Sequence, residues 1–272
     1  MDPVLARQVE TRLRRQMLGA GTLLLVVGVA EAFTPDLRST MAATRPTSWV
    51  GPLDVSAIEP ETEEASQAKF DGAVMKTYGR YPVTMVKGEG TMLWDSTGKK
   101  YLDFVAGIST CCLGHSNRKL TEAVTTQMNQ VHHVSNLYYI PNQGSLADWL
   151  IRNSPADKVF FCNSGAEANE AAIKLARKHA HTKLGIDDPV IITAESSFHG
   201  RTLAAITATG QPKYQQNFGP LVPGFDYVPY NDLDALKRAM KKANGKGLGG
   251  LFRRKRRGVA AVMLEALQGE VG

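Results

Sequence analysis

Ser164, Gly165, Ala166, Phe198, Arg201 and Glu265 are the residues whose types and spacing could do chemistry together. Ser164-x-x-Glu167 has the spacing of a capping box, so a helix is expected to start there. A helix start presents backbone N–H groups with no intrahelical acceptor, together with the positive end of the helix dipole. Gly165 and Ala166 carry almost no side chain, so an anion could approach the backbone closely, and the Ser164 hydroxyl adds a donor. That combination is a phosphate cradle. It has neither the Walker A spacing nor a GxGxxG fingerprint, which argues against ATP and dinucleotides. Further along, Phe198 offers a flat surface on which a ring can stack. Arg201, three residues later, offers the planar fork that suits a carboxylate better than lysine does. A phosphate cradle, a stacking aromatic and a carboxylate-binding arginine together point to pyridoxal phosphate and an amino acid.

These residues need a scaffold that brings them to one place. Three apolar runs, VFFC (159–162), VIITA (190–194) and VAAVML (259–264), each end in polar sequence. The first ends in Asn163-Ser164-Gly165-Ala166, the second in Glu195 to Arg201, and the third in Glu265 with Gln268, Gly269 and Glu270 behind it. Apolar runs separated by helical segments (166–181 and 202–208) predict an α/β fold with a mostly parallel sheet covered on both faces. In such sheets ligands sit outside the carboxyl ends of the strands, which are the three ends just named. Upstream, PVTMVKGEG, TMLWD and KKYLDF predict a small antiparallel meander, punctuated by Gly88, Gly90 and Ser96-Thr97-Gly98. Helices are expected over 119–131 and, capped by Ser145, over 145–152.

Composition narrows the function class. The 272 residues are 43% hydrophobic and 21% charged, ample for a large core. The net charge is +6, but the eight Lys and Arg residues between 241 and 257 have no acid among them; taking those eight away leaves −2 for the rest. The body of the protein is therefore not expected to bind nucleic acid. The basic, glycine-rich stretch 241–258 reads as a solvated insertion. Cys111, Cys112 and Cys162 are too few and wrongly spaced for a disulfide framework or a zinc site, and no metal is expected. At the front, Arg7, Arg12, Arg14 and Arg15 precede an apolar stretch at 18–30 and the small-x-small pattern Ala30-Glu31-Ala32. Residues 1–32 are read as a signal peptide, too short in its apolar part for a stable membrane anchor, and 33–65 as a transit-like segment. The pair has the layout of a bipartite plastid presequence, with the mitochondrion or secretion as alternatives.

YGRYPVTMVKGEG (78–90), HVSNLYY (133–139), FFCNSGAEANEAAIKLARK (160–178), SFHGRTLAAITATGQPKY (197–214), FGPLVPGFDYVPYND (218–232) and EALQGE (265–270) resemble the class-III aminotransferases of fold type I, over residues 75 to 272 apart from the insertion. The resemblance implies a small-domain segment at 66–120 and a partial cofactor-binding large domain at 121–272. It implies pyridoxal 5'-phosphate as cofactor, with Ser164, Gly165 and Ala166 at its phosphate and Phe198 on its ring. It places Arg201 on the substrate's α-carboxylate and Glu265 near the substrate pocket. A small-molecule amino donor and a 2-oxo acid are the implied reactants, and a homodimer the implied assembly. N-acetylornithine with 2-oxoglutarate is the expected pair, with ornithine and 4-aminobutyrate as alternative donors. The family's aspartate at the pyridine nitrogen and its Schiff-base lysine have no counterpart in the sequence up to Gly272, so no catalytic lysine is assigned and an incomplete enzyme is expected. A non-catalytic relative is the rival reading. Ala266 and Val271 stand where the family usually has Pro and Gly, and GHSNR (114–118) replaces its GH-x-HP.

Overall fold

The computed structural model describes residues 24–28 (backbone only), 62–245 and 256–271. They fall into two compact units, the described residues 62–140 in one and Leu24–Gly28 with 141 onward in the other. The change of unit lies between Ile140 and Pro141, later in the chain than the boundary at 120/121 read from the sequence.

The first unit carries helix α1 (Glu63–Ala73), strands β2 (Met85–Glu89), β3 (Met92–Asp95) and β4 (Lys100–Leu102), and helix α2 (Arg118–Met128). The three strands form the expected antiparallel meander in the order β2-β3-β4. Asp95, at the end of β3, organises the turn into β4. One of its oxygens accepts from the Thr97 and Lys99 amides (both 2.9 Å) and the Thr97 hydroxyl (2.7 Å); the other accepts from the Tyr101 hydroxyl (2.7 Å). These donors, Tyr101 first, pull its pKa down to about 2. Next to the meander, the backbone of Ala106, Gly107, Ile108 and Ser109 runs through positive φ. Asp103 holds the entry to that turn through the amides of Val105 and Ala106 (2.9 Å each), while its other oxygen meets His115 Nε2 at 2.7 Å. Gly88 must be glycine because a Cβ there would lie 2.7 Å from the His115 side chain. The GHSNR departure is accommodated beside it: Ser116 adopts φ 54° and its hydroxyl donates to Gly88 O at 2.7 Å.

The second unit begins with helix α3 (Pro141–Arg152), followed by β5 (Lys158–Cys162) and α4 (Gly165–Lys183). Then come β6 (Asp188–Ala194), α5 (Leu203–Ala208), the turn α6 (Pro212–Gln215), β7 (Phe225–Val228), α7 (Leu233–Asn244) and β8 (Arg257–Met263). Helix α3 starts a turn before the expected 145. Proline is at home in a first turn, where its missing N–H costs nothing. Ser145 is then interior, its hydroxyl donating back to Pro141 O at 3.0 Å rather than capping. Strand β7 and helices α1 and α7 were not read from the pattern.

Strands β6, β7 and β8 make a parallel sheet in the order β7-β6-β8. Alternate residues of β6 face opposite sides, as strand geometry demands. Val190 and Ile192 pack with Val228 and Ala243, under Ala235, Leu236 and Ala239 of α7. Ile191 packs on the other side with Ile173 of α4 and Ala208 of α5. All three β6 side chains are almost fully buried, each contributing about 1.5–3 kcal/mol of burial. The β6–β8 register skips one residue, from Val190↔Val259 to Ile191↔Ala261, so Ala260 is the extra residue of a bulge. Ala260 and Ala261 consequently both pack on the Ile191 face.

Only five residues of the expected leader are among the described ones. Leu24–Gly28, inside the apolar stretch of the expected signal peptide, pairs in parallel with β5 as strand β1, from Leu24↔Lys158 to Gly28↔Cys162. A short apolar run rich in Leu and Val carries no period that separates the hydrophobic segment of a leader from a strand. The rest of residues 1–61, and most of the basic insertion, lie outside the described residues. No described helix is long and apolar enough to cross a membrane, and no described cluster of three His, Cys, Asp or Glu is set to hold a metal. Cys111, Cys112 and Cys162 are free thiols.

Candidate active site

The carboxyl end of β5 turns directly into α4 at Ser164. Its extended backbone (φ −158°, ψ 162°) makes it the N-cap, and its Oγ accepts from the Glu167 amide at 3.1 Å. The return bond of the box is displaced by one residue: Glu167 Oε2 accepts from the Asn163 amide at 2.5 Å. The Ser164 amide therefore stays outside the box. The amides of Gly165 and Ala166, in the first turn of the helix, have no intrahelical acceptor by construction. A Cβ built on Gly165 would meet nothing within 4 Å, so the space before this turn is open to a ligand. The Ser164 hydroxyl accepts from Glu167 and still has its proton to donate outward. Helix dipole, free first-turn amides, hydroxyl and open space fit a phosphate group.

The carboxyl end of β6 lies against this loop. Gly200 (φ 124°) packs so closely that a Cβ there would be 2.9 Å from the Ala166 Cβ and 3.1 Å from its Cα. A small residue at 166 and glycine at 200 are thus two halves of one contact. Asn169 and Glu170, on the second turn of α4, tie the same ends together. Asn169 Nδ2 donates to His199 O at 2.7 Å. Glu170 Oε1 accepts from the Thr202 hydroxyl (2.5 Å) and the amides of Ala204 and Ala205 (3.0 and 3.1 Å), so a carboxylate of α4 caps α5. Sequence reasoning missed both residues; the acidic and amide positions one turn beyond a capped helix start were the available signal.

Behind the loop is a buried polar knot. The Thr193 hydroxyl donates to Ala208 O (3.0 Å) and that of Ser197 to Ala194 O (2.6 Å). Each hydroxyl has one proton. Thr193 Oγ1, 3.1 Å from His199 Nε2, must therefore accept, which fixes the imidazole proton on Nε2. His199 is 5% exposed, and burial lowers its pKa, partly opposed by the Glu265 carboxylate. It is a neutral donor holding the strand end. Its own amide donates to Thr209 Oγ1 at 2.9 Å. A threonine in the middle of an otherwise apolar strand was the legible sign of this knot.

Phe198 and Glu265 meet, as the three strand ends require: the Phe198 amide donates to Glu265 Oε2 at 3.2 Å. Glu265 is held in turn by the Tyr230 hydroxyl, which donates to its carbonyl at 2.9 Å. The Phe198 ring stands edge-on to Tyr214, with centroids 5.6 Å apart and planes at 71°. The exposed Arg201 guanidinium sits 5.5 Å from the centroid of the same Tyr214 ring. Gln268, 4% exposed, donates to Glu195 O at 2.8 Å and so binds the end of β8 to the end of β6. The three strand ends do not share one sheet as expected, because β5 pairs with β1 and β6 with β7 and β8. They meet instead through Ala166 against Gly200, which lies between Phe198 and Arg201, and through the Phe198 amide on Glu265. Cys162 is half-buried, its thiol donating to Ser164 O at 3.4 Å.

A capped helix start after β5 with an aromatic ring and a guanidinium after β6 fits a pyridoxal-phosphate type of site. The family model of class-III aminotransferases matches residues 73–272, and the chain belongs to that family. Among curated relatives it is 62% identical over 203 residues to the acetylornithine aminotransferase of Thermosynechococcus vestitus, covering 75% of this chain and 47% of that protein. It is 60% identical over 213 residues to the acetylornithine aminotransferase of a Synechocystis species, covering 77% and 47%. Of solved structures, the ornithine aminotransferase of Toxoplasma gondii superposes with a TM-score of 0.69 at 31% identity, covering 77% of this chain and 47% of that one. The acetylornithine aminotransferase of Elizabethkingia anophelis gives 0.62 at 34% identity, over 77% and 48%. The chain spans about half the length of the curated relatives it matches.

Proposed function

We propose that the whole protein is a pyridoxal-phosphate-dependent aminotransferase that exchanges the amine of N-acetylornithine with 2-oxoglutarate, giving N-acetylglutamate 5-semialdehyde and glutamate. The observation that carries this reading is the junction of the Ser164–Ala166 helix start with Phe198 and Arg201 through the Gly200–Ala166 contact. When bound, pyridoxal phosphate would supply an electron sink for the substrate carbon that bears the transferred amine, here the terminal carbon that becomes the aldehyde. The chain's own residues bind and orient. The amides of Gly165 and Ala166 and the Ser164 hydroxyl hold the phosphate, and Phe198 lies against the ring. Arg201 takes the substrate's α-carboxylate with two parallel hydrogen bonds. Glu265 fixes the Phe198 backbone from β8, at the substrate side. Acetylornithine is favoured as donor over ornithine because the highest identities quoted above, 62% and 60%, are to acetylornithine enzymes, whereas the ornithine enzyme shares 31%.

Titration with pyridoxal 5'-phosphate and with pyridoxal tests the seat. The phosphate ester should bind at least about tenfold more tightly, a difference that Ser164→Ala narrows and Gly165→Val abolishes. Equal affinities for the two compounds would overturn the assignment. On the protein isolated from its source, transamination with N-acetylornithine should exceed that with ornithine or 4-aminobutyrate; a preference for ornithine would reverse the donor assignment. A homodimer is part of the proposal, supported by large exposed side chains in the first unit: Tyr81, Phe104, Ile108 and Tyr139 are about nine-tenths exposed or more. A plastid location is also proposed, on the arginines and apolar run at the N-terminus; export of a fluorescent fusion of residues 1–65 from the cell would refute it.

A further inference from the structure

Tyr214 stands where three parts of the candidate site meet, and it has no role in the reading above. Its ring is the edge partner of Phe198 at 5.6 Å. The Arg201 guanidinium lies 5.5 Å from its centroid and the Lys213 ammonium 4.7 Å. Its hydroxyl donates to Glu270, at 3.1 Å to Oε2, and Glu270 also pairs with Lys213 at 3.5 Å. The short turn α6 that carries Tyr214 is itself pinned from both sides. Gln211, 9% exposed, donates to Ser197 O at 3.0 Å, and Gln215 donates to Thr209 O at 2.8 Å. Tyr214 is itself half-buried.

The geometry points to Tyr214 as a positioning residue for substrate binding: its ring holds the Arg201 fork in the direction from which a carboxylate is taken. This rests on the proposed role of Arg201. Arginine has many rotamers, and a carboxylate bound through two hydrogen bonds needs one of them. A guanidinium against an aromatic face keeps its N–H groups at the edges, where an anion can be bonded, while the face restricts the swing of the side chain. The turn α6, pinned through Gln211 and Gln215, keeps the ring in that place, and the hydroxyl bond to Glu270 is secondary. The ring, rather than the hydroxyl, does the positioning.

The test uses the 272-residue chain, its Tyr214→Phe variant, which keeps the ring, and its Tyr214→Leu variant, which removes it. With 2-oxoglutarate as probe in the presence of pyridoxal 5'-phosphate, Tyr214→Leu should weaken binding about threefold to thirtyfold and Tyr214→Phe less than about twofold. The Arg201 Nε–H resonance, displaced by the ring current in the parent, should stay displaced in the Phe variant and return to the ordinary arginine position in the Leu variant. Unchanged 2-oxoglutarate affinity in Tyr214→Leu, or equal losses in both variants, would overturn the inference. If the parent chain binds neither probe, it is the carboxylate role of Arg201 that fails. The resonance then decides the positioning alone: a displacement lost only in the Leu variant sustains it, and one identical in all three chains overturns it.

Discussion

Replacing Gly200 with alanine would place a methyl carbon 2.9 Å from the Ala166 Cβ, 3.1 Å from the Ala166 Cα and 3.1 Å from the Ala205 Cβ. None of these atoms is the far end of a flexible side chain. Relief requires moving either the first turn of α4 or the start of α5, both packed against the sheet. Overpacking of this kind costs about 1–3 kcal/mol. The φ of 124° at Gly200 adds a backbone penalty of similar size for any residue with a Cβ, about 1–3 kcal/mol. The total, about 2–6 kcal/mol, is a large part of the 5–15 kcal/mol that typically holds a domain together. Two measurements follow it: the denaturant midpoint, and the affinity for pyridoxal 5'-phosphate, which should fall because the loop at Ala166 is what moves. Ala166→Gly removes the nearest of the three atoms. Added to Gly200→Ala, it should restore part of the loss, a coupling of about 1–2 kcal/mol in a double-mutant cycle. The backbone part should remain. Wild-type stability and cofactor affinity in Gly200→Ala, or no coupling with Ala166→Gly, would refute the claim that these two residues form one contact.

Glu170→Ala should leave the Thr202 hydroxyl and two amides of α5 without their acceptor, destabilising by about 0.5–2 kcal/mol and raising amide exchange at Ala204 and Ala205; Glu170→Gln should recover part of this. His199 is kept neutral by burial, its folded pKa below the ordinary 6.5, so protons favour the unfolded chain as pH falls through that value. Stability should therefore decline below about pH 6.5, and His199→Gln, which keeps a donor near Nε2, should flatten that part of a Tm–pH curve. Asp95 behaves in the opposite range. Its folded pKa of about 2 lies below the ordinary 3.8, so its contribution is complete above about pH 4 and is lost as the pH falls through 2. Exchange at the Thr97 and Lys99 amides should follow that course, and Asp95→Asn should remove the dependence. Ile191→Ala should cost about 2–5 kcal/mol, read from chemical denaturation.

The three strand ends were legible in the sequence because each apolar run stops abruptly at residues that pack poorly and bond well. The meander was legible for a related reason: its turns are marked by Gly88, Gly90 and Ser96-Thr97-Gly98, although the part that Asp95 plays was not. Less visible was whatever depends on contacts between distant segments. Strand β7, FDYV, is only four residues and alternates too little to show a period. Helix α7 is strongly amphipathic, LDALKRAMKKAN, yet its last four residues were read as the start of the basic insertion and the rest was left unassigned. Ser145 has the type of a cap but sits inside α3, since Pro141 had already begun the helix. At the site, Ser164 and Phe198 were readable from local pattern. Glu170, Asn169 and Tyr214 were not, because each acts across thirty or more residues of chain, or through a ring contact that has no spacing rule.

Helix α4 carries Ser164 before its first turn and Glu170 on its second, and Glu170 accepts from the hydroxyl of Thr202, next after Arg201, and from the amides of Ala204 and Ala205. The span between the anion seat and the guanidinium is therefore measured off along a single rigid rod, with 1.5 Å for each residue. Such a ruler does not stretch when loops elsewhere breathe. Inserting or deleting one residue between Ser164 and Glu170 would turn Glu170 about 100° around the helix and off α5, so that the proposed site would lose its spacing while every one of its chemical groups stayed in the chain.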